Sequence, residues 1–158
     1  MQGHIIRLSL SVIIGFLVNF VWGQVVTSVP LFPSDLSSVT ITFDATKGTG
    51  GLAGFSGEIY AHTGVITNQS ASSTDWKYVK TNWGENTTET QLNKVDENKY
   101  ELEIGPSIRA YYGVPADEEI LKVALVFRSA DASLEGKDDG GGDLFIELNN
   151  GFVLRVVS

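Results

Sequence analysis

Five ring-bearing side chains fall within residues 60–83, a stretch that is otherwise rich in Ser, Thr and Asn. Trp83 follows Asn82 and precedes Gly84, which predicts a loop and an exposed indole. An exposed ring can stack on the apolar C–H face of a sugar while polar neighbours hydrogen-bond the sugar's hydroxyl groups. The candidate stacking residues are Trp83, Trp76, Tyr78, Tyr60 and His62.

Polar side chains interleave with these rings. Lys77, Lys80 and Asn82 could donate hydrogen bonds to ligand hydroxyls. The alternative is that the rings are core residues, since β-sandwiches often contain a core tryptophan. Trp76 and Tyr78 are two residues apart, so they would share one face of a strand. The sequence leaves core and surface equally open for Trp76 and favours the surface for Trp83.

Catalytic chemistry has little support in the sequence. The chain has no cysteine and no G-x-S-x-G motif, and His62 is the only histidine after His4. The nineteen Asp and Glu residues leave a glycosidase-type carboxylate pair open, but such a pair needs a deep cleft that a small sandwich does not readily provide. We therefore expect this chain not to be an enzyme.

Residues 131–143 carry aspartates at a spacing that resembles the first half of a calcium-binding loop. Gly142 stands where an EF-hand would have a bidentate glutamate. A solvated turn is the simpler interpretation, because aspartate and glycine are both favoured in turns. We expect no cofactor and retain weak calcium candidates: Asp131, Asp138, Asp139 and Asp143.

The net charge is -8 at neutral pH, from 11 basic and 19 acidic residues. A protein this acidic is repelled by polyanions, so neither nucleic acid nor an anionic membrane surface is an expected partner.

Residues 1–23 have the pattern of a secretory signal peptide. Arg7 is followed by an apolar run from Leu8 to Trp22, and Gly23 offers a small residue at the cleavage position. The alternative is an N-terminal membrane anchor, but polar residues interrupt the run and it is short for a bilayer span of about 20 apolar residues. We therefore expect cleavage after Gly23, no membrane anchor, and a secreted, cell-surface or periplasmic protein.

The remaining pattern predicts strands. Residues 24–37 contain Pro30 and Pro33 without periodicity and are interpreted as an extended leader or linker. From residue 38 short strand patterns recur, and a hairpin is expected at residues 96–98. The one helical candidate runs from Pro106 to Tyr112, before Gly113. The predicted strands are 39–43, 58–64, 76–80, 90–95, 99–104, 119–128, 143–148 and 152–157.

This organisation predicts an all-β, antiparallel, immunoglobulin-like β-sandwich with one short helix, preceded by the cleaved signal peptide. The sandwich is assigned to residues 38–148. Residues 149–158 are either its final strand or the beginning of a following domain, because a strand needs a partner for its backbone groups.

Several motifs resemble those of a known module. YAHTG (residues 60–64), DWKYV (75–79) and the series FRSAD, GKD and GGD within 127–143 resemble the N-terminal starch-binding-like module of secreted α-amylase-family glycosidases of Bacteroidetes. The resemblance covers about residues 38–148. It implies an immunoglobulin-like fold, an aromatic-x-His pair at Tyr60 and His62, and a following tryptophan at Trp76 or Trp83. In the late loop that carries a tryptophan in the wider starch-binding families, this chain has Leu134.

By this resemblance the chain is expected to be a non-catalytic accessory module that binds starch or another α-glucan. A downstream catalytic domain of the parent glycosidase would be its covalent partner. The alternative is an immunoglobulin-like spacer that binds no sugar and positions the next domain.

Overall fold

The computed structural model describes residues 23–149, and these contain eight strands, one short α-helix and one 3₁₀ turn at Thr88–Thr90. The predicted signal peptide, apart from Gly23, and the predicted strand at 152–157 lie outside the described residues. The helix is α1 (Ile108–Tyr112). The strands are β1 (Val26–Val29), β2 (Val39–Asp44), β3 (Ile59–Thr67), β4 (Asn93–Asp96), β5 (Lys99–Ile104), β6 (Ile120–Ser129), β7 (Glu135–Gly136) and β8 (Leu144–Glu147).

The strands form two antiparallel sheets. The first sheet has the order β1-β2-β5-β4. In the second sheet β6 is central, with β3 along one edge and both β7 and β8 along the other. The prediction of an all-β, antiparallel, sandwich-like fold is thus confirmed.

The alternating sequence of the first sheet decides which side chains enter the core. In β5, Tyr100, Leu102 and Ile104 are buried, whereas Glu101 and Glu103 lie on the other face, as predicted. The predicted hairpin joins β4 to β5, and Asn98 adopts the positive φ of 60° that such a turn favours.

The core lies between the two sheets. Phe43 of β2 stacks on Phe127 of β6 with ring centroids 4.3 Å apart. Gly136 in β7 permits this contact, because a Cβ atom there would come within 2.5 Å of the Phe43 ring. The Phe43–Phe127 pair therefore joins the two sheets at a point where any residue larger than glycine at position 136 would push the sheets apart.

Helix α1 packs against the core through Ile108 and Tyr112. The Ser107 hydroxyl caps it by accepting a hydrogen bond from the Ala110 amide at 3.1 Å, and Gly113 ends it with a φ of 71°. Tyr112 is buried and shares a 2.7 Å hydrogen bond with the Thr63 hydroxyl of β3. The predicted short helix is therefore present.

Three segments differ from the sequence-based expectation, and one of them is the two-residue strand β7, which was not predicted. Within the predicted leader, Val26–Val29 is strand β1 and pairs with β2 in the first sheet. The predicted strand at 76–80 is not a strand; its link to β3 is an isolated bridge between Val65 and Lys77. Tyr78 has a φ of 50°, which breaks the extended backbone immediately after that bridge.

Candidate functional site

The candidate site lies on the outer face of the second sheet, opposite the core. Along β3, Ile59 and Ala61 point into the core, so Tyr60 and His62 lie on the outer face, as predicted. In the register with β6, His62 lies opposite Val126 and Tyr60 lies opposite Arg128.

A crossing segment, residues 74–80, brings Trp76 to this face. The Lys77 amide donates to the Val65 carbonyl at 2.7 Å, and the Val65 amide donates to the Lys77 carbonyl at 2.9 Å. Gly64 allows this close approach, because a Cβ atom there would lie 2.9 Å from the Lys77 carbonyl oxygen. These bonds pair the segment with the edge of β3, so the backbone of β3 fixes where Trp76 lies.

Three rings meet above the sheet. His62 stacks on Trp76 with ring centroids 5.6 Å apart and planes inclined by 25°. It also contacts Trp83 in an edge-to-face arrangement, with centroids 5.2 Å apart and planes at 77°. Trp83 remains 47% exposed, which agrees with its predicted place in a surface loop. The three rings of His62, Trp76 and Trp83 are called the aromatic array. Within it, the Trp83 ring is steeply inclined to the His62 ring, whereas the Trp76 ring is inclined to it only slightly.

The array lines an open depression of about 420 Å³. Carboxylate, hydroxyl and ammonium groups stand around the rings, so both hydrogen-bond donors and acceptors are available to a ligand. The lining residues are His62, Thr74, Asp75, Trp76, Val79, Trp83, Val126, Lys137 and Asp143.

Burial and a nearby cation favour the neutral form of His62. Burial lowers the pKa of His62, and the positive charge of Arg128 lowers it further, while Asp143 opposes the shift. The Nδ1 atom is buried and has no hydrogen-bond partner among the described residues. A neutral imidazole has one donor and one acceptor nitrogen, and it stacks on an indole without a charge to desolvate.

Asp75 supplies a fixed acceptor at the rim. Its Oδ2 atom accepts a 2.8 Å hydrogen bond from the Ala71 amide, and its Oδ1 atom accepts one of 3.0 Å from the Lys77 ammonium. These bonds lower the pKa of Asp75, so the group is a carboxylate at neutral pH.

Tyr60 was predicted as a stacking residue, but the structure does not leave its ring free. Its side chain is only 7% exposed. The hydroxyl donates to the Glu58 carboxylate at 3.0 Å, and the Arg128 guanidinium carbon lies 5.5 Å from the ring centroid. Tyr60 shares the outer face with His62, but Arg128 occupies the space over its ring.

Tyr78 points away from Trp76, contrary to the expectation that the two share a face. The positive φ of Tyr78 reverses the strand alternation, and its hydroxyl donates to Glu118 at 2.5 Å. The ring packs against the core cluster. The shared-face prediction failed because it assumed an extended backbone through residues 76–78.

The three predicted polar partners all bind other groups of the protein. Lys77 forms its ion pair with Asp75. The Lys80 ammonium donates to the Tyr111 carbonyl and pairs with Glu89, both at 3.0 Å, beside a different depression. The Asn82 amide groups donate to the Glu85 carboxylate at 3.0 and 3.2 Å.

The loop of residues 131–143 contributes two residues to the depression, and neither was predicted as a sugar-binding residue. Asp143, a weak calcium candidate, lines the depression together with Lys137. Asp131 instead accepts hydrogen bonds from Ser129 and Ser133, which lower its pKa to about 2. Among residues 23–149, no three His, Cys, Asp or Glu side chains converge as a metal site.

Several lining residues escaped the sequence analysis. Thr74 and Asp75 directly precede Trp76, so their position in the sequence could have predicted that they lie near its ring. Val126 could have been found from the pairing of β3 with the apolar strand β6. Lys137 carries no local signal, because the folding of a distant loop brings it to the rings.

No protein-family model matches this sequence, and a search of curated proteins finds no significant relative. Within the part of the chain that the structure describes, no helix combines the length and apolarity required to cross a membrane.

Proposed function

We propose that this protein is a non-catalytic module that binds α-glucan on the aromatic array. The observation that supports this most is the convergence of His62, Trp76 and Trp83 on one open depression with Asp75 and Asp143 at its rim. Ring faces bind the apolar side of a sugar, and the polar rim hydrogen-bonds its hydroxyls.

The angle between the rings favours a curved ligand. Trp76 and Trp83 contact His62 with interplanar angles of 25° and 77°, so the rings do not form a flat platform. An α-1,4-linked glucan curves along its length, whereas a β-1,4-linked glucan is a flat ribbon. A curved chain therefore suits the inclined rings better than a flat ribbon does.

The resemblance to the N-terminal module of secreted α-amylase-family glycosidases supports the same ligand. Under this proposal the two sheets are an immunoglobulin-like sandwich, residues 1–23 are a signal peptide, and the module acts outside the cytoplasm. Its partner is a downstream catalytic domain, which the module keeps near starch.

One observation favours the alternative, a spacer that binds no sugar. Four apolar side chains from the last residue of β1 to the loop before β2 are strongly exposed, and exposed apolar groups can contact another domain. The Asn149 amide donates to the Pro33 carbonyl within this segment at 2.8 Å, so the last described residue lies beside it. The exposed residues are Val29, Leu31, Phe32 and Leu36.

A ligand panel tests the proposal. The full chain is run through native gels containing amylose, cellulose derivative or no polysaccharide, and maltoheptaose and cellohexaose are titrated by calorimetry. We expect retention by amylose alone and binding of maltoheptaose that varies little with salt, because the ligand is neutral. Absence of any retention or heat with α-glucans would overturn the binding function and leave the spacer.

A further inference from the structure

Arg128 is the largest fully buried side chain among the described residues, yet it lies on the outer face of the second sheet. A buried charge normally has a carboxylate partner, because its desolvation is costly. Among residues 23–149, no Asp or Glu side chain forms an ion pair with Arg128. The groups that accept hydrogen bonds from its guanidinium are neutral.

The guanidinium group donates to the loop that carries Trp83. One terminal nitrogen, Nη1, donates to the Asn86 Oδ1 atom at 2.8 Å, and the other, Nη2, donates to the Glu85 carbonyl. Nη1 also donates to the Ser129 carbonyl at 3.1 Å. A planar fork that spans two successive residues fixes their orientation more closely than a single donor could.

The Trp83 loop, defined as residues 82–86, is closed internally and held at its end. The Glu85 amide donates to the Asn82 carbonyl at 3.1 Å, which makes a turn with Trp83 and Gly84 at its tip. The Asn86 side chain accepts from Arg128 and donates to the Ala130 carbonyl at 3.1 Å. Because the indole of Trp83 is half exposed, packing alone holds it weakly, and these bonds determine where the loop lies.

We propose that Arg128 is a positioning residue of the aromatic array: its guanidinium fork holds the Trp83 loop against the sheet, so that the Trp83 ring meets the His62 ring at a steep angle. The inference rests on the proposed glucan site only for its effect on binding. The position of Trp83 can be measured without any ligand.

Arg128 also acts on His62 through its charge. The charged groups around the imidazole are Arg128 from β6, Asp75 from the crossing segment, and Lys137 and Asp143 from the loops beside β8. Removing the Arg128 cation should raise the pKa of His62, and loosening the Trp83 loop should raise it as well, because burial is the larger cause of the lowered pKa. The effect of the charge is the part of this rise that appears in Arg128→Met and not in Arg128→Lys.

The test uses the full chain labelled with 5-fluorotryptophan. Fluorine NMR gives one resonance for each of the three tryptophans, and Trp83→Phe and Trp76→Phe variants assign them. The solvent isotope shift of each resonance reports its exposure. Proton NMR titration gives the His62 pKa, assigned with His62→Gln.

Three variants distinguish the effect of the Arg128 hydrogen bonds from the effect of its charge. Arg128→Met should increase the exposure of Trp83 and raise the His62 pKa. Arg128→Lys keeps the cation but lacks the fork, so Trp83 should loosen and the His62 pKa should rise less than in Arg128→Met. Asn86→Ala removes one acceptor at an exposed residue and should loosen Trp83 without a charge effect. Arg109→Met is the matched control, since Arg109 pairs with Asp35 away from the depression.

The position of the Trp83 resonance decides whether Arg128 holds the loop. A native Trp83 resonance in folded Arg128→Met would overturn it. If Arg128→Met does not fold, native Trp83 resonances in both Arg128→Lys and Asn86→Ala would overturn it. Where maltoheptaose binds, each loosening variant should weaken binding about fivefold, the loss of one stacking contact. If wild type binds no glucan, the proposed function fails and the Trp83 measurements still test Arg128.

Discussion

The inner and outer faces of the second sheet use alternate residues of the same strands for different purposes. On the inner face, Ile59, Val65 and Phe127 are fully buried and pack against the first sheet. On the outer face, His62 and Arg128 lie beneath a loop and a crossing segment that leave an open depression. The inner face is held by apolar area, whereas the outer face is held by hydrogen bonds and ring contacts.

This difference has an energetic consequence. Burial of apolar area stabilises the whole domain, so the inner face tolerates little truncation. Hydrogen bonds in a partly exposed region each contribute only about 1 kcal/mol net, so the outer face can be changed with less effect on folding. Substitutions on the two faces should therefore separate stability from binding.

The largest effect is expected on the inner face. Phe127→Ala removes the ring that stacks on Phe43 and should lower the free energy of unfolding by about 3–5 kcal/mol, through lost burial and the cavity left behind. Urea denaturation followed by circular dichroism measures the change. A loss of about 0.5 kcal/mol or less, typical of surface sites, would contradict the assignment of this face as the core.

A glycine on the outer face should show an intermediate effect. Gly64→Ala places a methyl group 2.9 Å from the Lys77 carbonyl oxygen, so the crossing segment must shift, at a cost of about 1–3 kcal/mol. Gly142→Ala is the control, because a Cβ atom there meets nothing within 4 Å. Equal thermal stability of the two variants would show that Gly64 does not set the position of the segment.

Trp83→Ala should affect binding more than folding. Loss of one stacking ring should weaken maltoheptaose binding by about 1 kcal/mol, and the melting temperature should change little because the indole is half exposed. Phe32→Ala, at an aromatic residue that is 68% exposed and outside the depression, should leave binding unchanged. A spacer would instead show no binding by wild type.

The smallest effect concerns pH. The pKa of His62 is lower in the folded protein than its ordinary value of about 6.5. At pH values between the folded-state pKa and the unfolded-state pKa, the unfolded chain therefore binds more protons than the folded protein. Stability should therefore fall as pH decreases from about 7 through this window. His62→Gln should flatten the melting temperature between pH 7 and pH 5. The carboxylates with lowered pKa, such as Asp75 and Asp131, lose their contribution only at more acidic pH.

An unchanged pH slope in His62→Gln would contradict the lowered pKa. In that case the imidazole would be as well solvated in the folded protein as in the unfolded chain. The contrast between the faces would then weaken, since the depression would offer His62 no burial.

The sequence by itself determined the elements whose signals are local. The alternation in β2 and β5, the hairpin at Asn98 and the short helix before Gly113 were all predicted, because strand periodicity, turn residues and caps act over a few neighbouring residues. The exposed loop at Trp83 was predicted for the same reason, from its Asn and Gly neighbours.

Only the tertiary structure decided which rings are available. Tyr60 was expected to be exposed, and Arg128 from β6 covers it; Tyr78 was expected beside Trp76, and its hydrogen bond to Glu118 accompanies a reversed backbone. Asp143 and Lys137 join His62 although more than seventy residues separate them in the chain. These contacts depend on strand register and loop closure over long sequence separations, which no local pattern of residues encodes.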